Sequence, residues 1–273
     1  MIVGLIAVVT LAWAPALWDL LLHWASSRHA SHGLCVALFA AYAAWDRRAA
    51  LPVVTGRPEA GGALALMLAL DLLALGHVEG SLTVQALSLT LAALGVVSLL
   101  WGAHGARRLA FPLAFSLLAV PLPAAVLSHL SALTQSLAAA GAALTLTVLG
   151  VPFERHGLTL SLQGIDVVIT EDCDGLPFLF ACIVAGIAAA WTVRSGAGQW
   201  LTIVGLAVTA GLLANLVRVA GTVVLAAIEP AAVIGTPHQV FGKTVYLVVG
   251  VTAATLAAVL VRRAHAAATA ASR

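Results

Sequence analysis

Three side chains in the second half of the sequence belong to the types that together perform acyl transfer: Cys173, Arg218 and His238. Cys173 sits in Glu171-Asp-Cys-Asp-Gly175, a polar stretch just ahead of an apolar run that starts near Leu176. The thiolate is the nucleophile of cysteine chemistry, and the positive end of a helix with a cationic neighbour favours that form. Asp172 and Asp174 act against it, so the site calls for a positive partner. Arg218 lies within Ala-Gly-Leu-Leu-Ala-Asn-Leu-Val-Arg-Val, where an ionisable group is expensive and points by default to function. The plainer reading is a guanidinium snorkelling to a headgroup layer. Asn215, three residues earlier, shares the helix face of Arg218. His238, in Gly235-Thr-Pro-His-Gln239, offers an imidazole able to act as a base near neutral pH, with His129 and His156 as its competitors. A nucleophile, a charge stabiliser and a base are what acyl transfer at cysteine needs. No Gly-x-Ser-x-Gly, His-Glu-x-x-His or Walker loop supplies a rival chemistry, and no Cys-x-x-Cys or Cys/His spacing suggests a metal.

These groups lie far apart in sequence, so the elements that carry them must bring them to one surface. Composition says what those elements are. Hydrophobic residues make up 62% and charged residues 9% of the chain, with a mean hydropathy of +1.07. A soluble domain carries roughly a quarter charged residues to cover its surface. The apolar runs repeatedly approach the ~20 residues that cross a hydrocarbon core of ~30 Å. The chain therefore reads as an all-α integral membrane protein, and its net charge of +2 gives no reason to expect nucleic acid. The apolar N-terminus lacks a basic leader and is followed by further spans, so it reads as a retained first span rather than a signal peptide.

The pattern predicts one polytopic domain over 1–273, with N-terminal helices in 1–108 and a catalytic half in 109–262. Spans are expected at 2–22, 33–45, 61–76, 81–103, 109–122, 176–193, 199–220 and 239–261, about eight in all. Arg47, Arg48, Arg57, Arg107, Arg108, Arg194, Arg262, Arg263 and Arg273 occupy alternate connections or the C-terminus, which places those connections and both termini in the cytoplasm. Parity then puts 150–175 outside. Pro121-Leu-Pro123 ends one span, and 124–149, with Ser128, His129, Ser131, Thr134, Gln135 and Ser136, is expected to lie along or dip into the outer face. Nineteen residues at 1.5 Å each, counted from Gln199, raise Arg218 by ~28 Å, to the outer edge on the side of Cys173. Leu158, Leu160 and Leu162 alternate with polar residues, and Gln163-Gly164 offers a two-residue turn into Ile165–Thr170. That pattern predicts a short β-hairpin holding the nucleophile stretch in place.

On these residues the chain resembles the exosortase/archaeosortase family, the membrane-embedded cysteine transpeptidases of bacteria and archaea. The likeness runs from Pro-Leu-Pro at 121–123, through Glu171–Leu176 and Asn215–Val219, to His238 with Gly242 following. It covers a little over half the chain, and the first hundred residues agree only in hydropathy. Where the family's nucleophile motif usually reads Ala-Cys-Ser-Gly, this chain has Asp-Cys-Asp-Gly. The resemblance implies Cys173 as nucleophile with Arg218 and His238 as partners at the outer face of the cell membrane, Asn215 in support, and no metal or organic cofactor. It also implies a substrate: a C-terminal sorting signal of exported proteins, made of a short motif, a transmembrane helix and a basic tail. Cleavage beside the motif would leave a thioester that passes to an amine or lipid-linked acceptor. Arg218 would stabilise the oxyanion or the thiolate, two roles the sequence does not separate. A substrate helix must arrive sideways through the membrane lipids, so a gap between spans is expected. The contrasting class is a non-catalytic membrane scaffold or a small-solute transporter, for which Asp71, inside an apolar span, is the favouring residue.

Overall fold

The computed structural model describes residues 2–51, 59–162, 165–194, 196–229 and 240–250, with 252, 259 and 263 singly. His238 and the Gln163-Gly164 turn lie outside the described residues. The chain divides into two compact units, Met1–Pro123 and Ala124–Arg273.

The first unit contains α1 (Ile2–Ser26), α2 (Gly33–Asp46), α3 (Ala60–Val78), α4 (Leu82–Arg108) and α5 (Ala110–Ser116). α3 and α4 form a tight antiparallel pair because small residues meet at their interface. A Cβ at Gly62 would run into the backbone of Leu99, and one at Gly95 into Leu66. Such close approach drives helix pairing where lipid removes the hydrophobic gain. Gly80, at φ 61°, makes the turn between them, and Ser81 caps α4 by accepting from the Val84 amide at 3.4 Å. Trp13 of α1 packs on Ala69, Leu73 and Ala92, and its indole donates to Ser88 Oγ at 2.9 Å.

The expected span at 109–122 is shorter than a span. It is the seven-residue α5 followed by a 3-10 turn, Leu117–Ala119. Ten residues at 1.5 Å rise cover ~15 Å, half the hydrocarbon thickness. The cause is Pro121, which pushes Val120 out of the helical region to φ −71°, ψ 125°. The turn and the residues after it are pinned by Trp24 of α1, His32 just before α2 and Thr83 of α4. Trp24 Nε1 donates to the Ala119 carbonyl at 2.9 Å, Thr83 Oγ1 donates to that of Pro121 at 2.9 Å, and His32 Nε2 lies 3.1 Å from that of Leu118. Burial lowers the His32 imidazole below its ordinary value, and the bond to Leu118 opposes this.

The second unit carries the candidate site. It runs through α6 (Ala124–Val148), β1 (Glu154–His156), β2 (Thr159–Leu162), β3 (Ile165–Val168), a 3-10 turn at Glu171–Cys173, α7 (Leu176–Thr192) and α8 (Ala197–Ile228). A further helix, α9, takes in Val240–Gly250. The predicted hairpin is present: β2 and β3 pair antiparallel with Leu162 opposite Ile165. The sheet is larger than expected, because β1 adds to the other side of β2 in the order β1-β2-β3. Alternation along β2 turns Leu160 and Leu162 into a core with Ala138, Ala139, Ala142 and Leu146 of α6, Ile169, and Val219 and Val223 of α8. The sheet is thereby fixed to two helices immediately before the nucleophile turn.

Among the described residues, six helices are long and apolar enough to cross a membrane: α1, α3, α4, α6, α7 with its preceding turn, and α8. Gly33–Asp46, Ala110–Ala119 and Val240–Gly250 are shorter apolar helices. The protein is a multi-pass membrane protein.

Candidate active site

The chain enters α7 through a fixed sequence of turns. Cys173 N–H donates to the Thr170 carbonyl at 2.8 Å, closing the 3-10 turn. Gly175 then takes φ 70° as the N-cap of α7. Two facts require glycine there: the left-handed backbone, and the Asn215 side chain, which a Cβ at this position would strike. Asp174 Oδ1 accepts the Leu176 amide at 3.0 Å and so caps the helix. Its other oxygen accepts from Ser131 Oγ at 2.8 Å, and Gln135 Nε2 donates to Ser131 in turn at 2.8 Å. Asp174 is 2% exposed, so its carboxylate is committed to the helix start and to α6 rather than standing free beside the thiol.

α8 grips the same turn from below. Asn215 Nδ2 donates to the carbonyls of Cys173 at 3.0 Å and Asp174 at 3.1 Å. Arg218 Nη2 donates to the carbonyl of Asp172 at 3.0 Å. Three consecutive main-chain carbonyls around the nucleophile are thus held by two side chains one helical turn apart. Arg218 also donates to Asn215 Oδ1, from Nε at 3.3 Å and from Nη2 at 3.1 Å, which confirms that the two share a face. With 7% exposure Arg218 does not snorkel; it is buried, and paired with polar groups as burial demands.

α9 closes the arrangement with two residues four apart, Gly242 and Tyr246. A Cβ on Gly242 would lie 3.2 Å from Arg218 Cδ, a tight contact, so glycine eases the close approach of α9. Tyr246 OH donates to Asn215 Oδ1 at 3.1 Å, its ring centroid lies 5.3 Å from the Arg218 guanidinium carbon, and it stacks on Phe178 of α7 at 4.3 Å. The guanidinium is therefore divided. Its Nε and Nη2 edge is occupied by the chain, and among the described residues no acceptor bonds to Nη1. Nη1 lies on the side of α9, 3.8 Å from where a Gly242 Cβ would stand.

The structure brings Cys173, Asn215 and Arg218 together. His238 lies outside the described residues. Its two competitors do not join the cluster: His129 is exposed with Nδ1 on the Ala125 carbonyl at 2.6 Å, and His156 is exposed and 3.6 Å from Glu154. Cys35 is exposed and Cys182 half-buried, each within a helix. Asp71, which a carrier would use, is exposed on α3 rather than enclosed. Among the described residues no group of His, Cys, Asp and Glu could hold a metal ion. The residues that sequence reasoning missed are Tyr246 and the pairing of Ser131 and Gln135 with Asp174. Their one visible signal was the polar i, i+4 spacing of Ser131 and Gln135 on an apolar helix.

The model of the transmembrane exosortase family matches residues 24–255. This chain belongs to that family. The match begins well before Pro121, so the N-terminal helices take part in more than hydropathy. No curated protein and no solved structure matches the chain. Exosortases are a family of cysteine-type membrane transpeptidases concerned with protein sorting.

Proposed function

We propose that this exosortase cleaves a C-terminal sorting signal of exported proteins at the outer face of the cell membrane and transfers them through a thioester on Cys173. Cys173 Sγ attacks the scissile carbonyl, the carbon–nitrogen bond breaks, and the departing amine takes a proton. An acceptor amine or lipid-linked nucleophile then attacks the thioester and releases the thiol. Arg218 supplies positive charge through Nη1, Asn215 holds the turn, and His238 moves the protons. His238 precedes Val240 by two residues, and α9 sets Gly242 against Arg218, which supports this role. The observation that carries the reading is the hold on three successive carbonyls, those of Asp172, Cys173 and Asp174, by Asn215 and Arg218. A cysteine with no catalytic task needs no such rigid seat; a nucleophile that must meet a carbonyl at a fixed angle does.

The accompanying topology puts Cys173, Arg218 and His238 on the outer side and both termini inside, with the sides set by the basic residues of the alternate connections. Single cysteines replacing His156 and Ala232, in a cysteine-free background, are expected to react with an impermeant thiol reagent on intact cells. Labelling at only one of them breaks the topology.

The chemistry is tested by interception. Membranes carrying the Cys35→Ala, Cys182→Ala protein are expected to hold an acyl group on Cys173 that hydroxylamine releases, read by mass spectrometry of the Cys173 peptide. A thiol that stays unmodified while sorting signals are being cleaved removes Cys173 as the nucleophile.

A further inference from the structure

The sheet that precedes Cys173 has two edges of opposite character. β1 presents Glu154, Arg155 and His156, all exposed, with Arg155 folded back onto the Gly157 carbonyl at 3.0 Å. Charge of this density closes an edge to further strands. β3 reads Ile165-Asp-Val-Val168 and lacks that protection. The register places Leu162 opposite Ile165 and Leu160 opposite Val167. In a two-residue hairpin these are the hydrogen-bonded pairs, so Ile165 and Val167 turn their N–H and C=O groups toward β2. Asp166 and Val168 turn theirs away from it. Among the described residues no strand pairs with that outward edge, and Val168 is 54% exposed.

This edge leads directly to the nucleophile. Ile169 N–H donates to the Leu158 carbonyl at 3.0 Å, extending the sheet by a residue, and the Cys173 turn begins two residues later. A peptide bond inside a helix has its carbonyl engaged in the i→i−4 ladder, so the bond a thiol attacks must belong to extended chain. We propose that the outward edge of β3 receives the extended segment to be cleaved as an added strand and thereby guides its scissile carbonyl to Cys173. The inference rests on the transpeptidase reading and supplies its means of substrate capture: main-chain hydrogen bonds from Asp166 and Val168, the mode in which the backbone gives affinity and alternate side chains give selectivity. The small sheet in a helical membrane protein then has a task beyond seating the turn.

The test uses short Thr/Val peptides ending in a chloromethyl ketone, with Cys173 as the sole cysteine. Cys173 Sγ displaces chloride and forms a thioether, so the rate reports how well the peptide is docked. Two versions are N-methylated on alternate residues in opposite phase. Strand addition uses every second peptide N–H, so one version is expected to react about tenfold or more slowly than the other through loss of its edge bonds. Val168→Pro removes an outward N–H at an edge position where proline is tolerated, and is expected to bring the two rates together; Val168→Thr keeps the N–H and the difference. Equal rates for the two phases in the unaltered protein, or a difference that survives Val168→Pro, overturns the proposal. The phase comparison in the unaltered protein stands even if Val168→Pro fails to fold. Acyl capture on Cys173 is read separately, so an enzyme without strand addition and a protein without the chemistry give different results.

Discussion

Asn215→Asp is expected to lower processing of sorting-signal proteins by on the order of 10²–10⁴, although the two side chains have the same shape. The Asn215 amide orientation is set by its partners. Main-chain carbonyls only accept and a guanidinium only donates, so Nδ2 must face Cys173 and Asp174, and Oδ1 must face Arg218. An aspartate keeps the Arg218 and Tyr246 bonds and strengthens them by charge. It also turns an acceptor toward the two carbonyl oxygens that Nδ2 held. Each buried group left unsatisfied costs roughly 1–3 kcal/mol, so the two together correspond to about 2–6 kcal/mol, roughly thirtyfold to somewhat above 10⁴, a range that brackets the fall given above. The substitution separates two roles. If Asn215 serves only to hold Arg218, Asp should do as well or better; if it seats the nucleophile turn, Asp should fail. Cleavage rates compared at matched membrane levels decide this, and near-normal turnover would return Asn215 to the status of a neighbour.

What could be read from the sequence follows from where physical constraint is local. Arg218 stands out because a guanidinium in an apolar helix is tolerated only with partners, and helical rise alone gave its depth beside Cys173. Asn215 followed from the i−3 spacing. β2 was legible because burial of one face enforces alternation, and Leu160 and Leu162 are the residues so buried. β1 left no such mark. Glu154, Arg155 and His156 are all exposed, and its pairing depends on the β2 backbone rather than on side chains. Ser131 and Gln135 looked like the wet face of an interfacial helix; that they reach Asp174 is a tertiary fact that no local period encodes. Tyr246, an aromatic in an apolar run, was silent for the same reason. Gly242 was quoted with His238 as part of the family likeness, and Arg218 leaves little room for a side chain there. The span at 109–122 was misjudged because hydropathy does not register the conformational reach of Pro121 into the preceding residue.

Arg218→Lys is the second large expected effect, a fall of at least about two orders of magnitude in processing, which is the usual cost of losing one fixed charge-stabilising donor. Lysine keeps the charge and nearly the length, so it would serve if charge alone were needed. Arg218 does more with its geometry. Nε and Nη2 converge on Asn215 Oδ1, Nη2 also reaches the Asp172 carbonyl, and Nη1 lies on the α9 side, 3.8 Å from where a Cβ of Gly242 would stand. A single ammonium can occupy only one of these places. If it settles on Asn215, the Asp172 carbonyl loses its donor and nothing extends to the reacting carbonyl; if it extends, the turn loosens. Neither choice depends on whether the charge serves the oxyanion or the thiolate. The comparison is Arg194→Lys, at the far end of α7, where the side chain is exposed and the change is expected to be nearly silent. Both proteins are measured at equal membrane abundance, so that a folding defect is not mistaken for a chemical one. Turnover by Arg218→Lys close to that of the unaltered protein would take the guanidinium out of the chemistry and leave Cys173 and His238 to account for it.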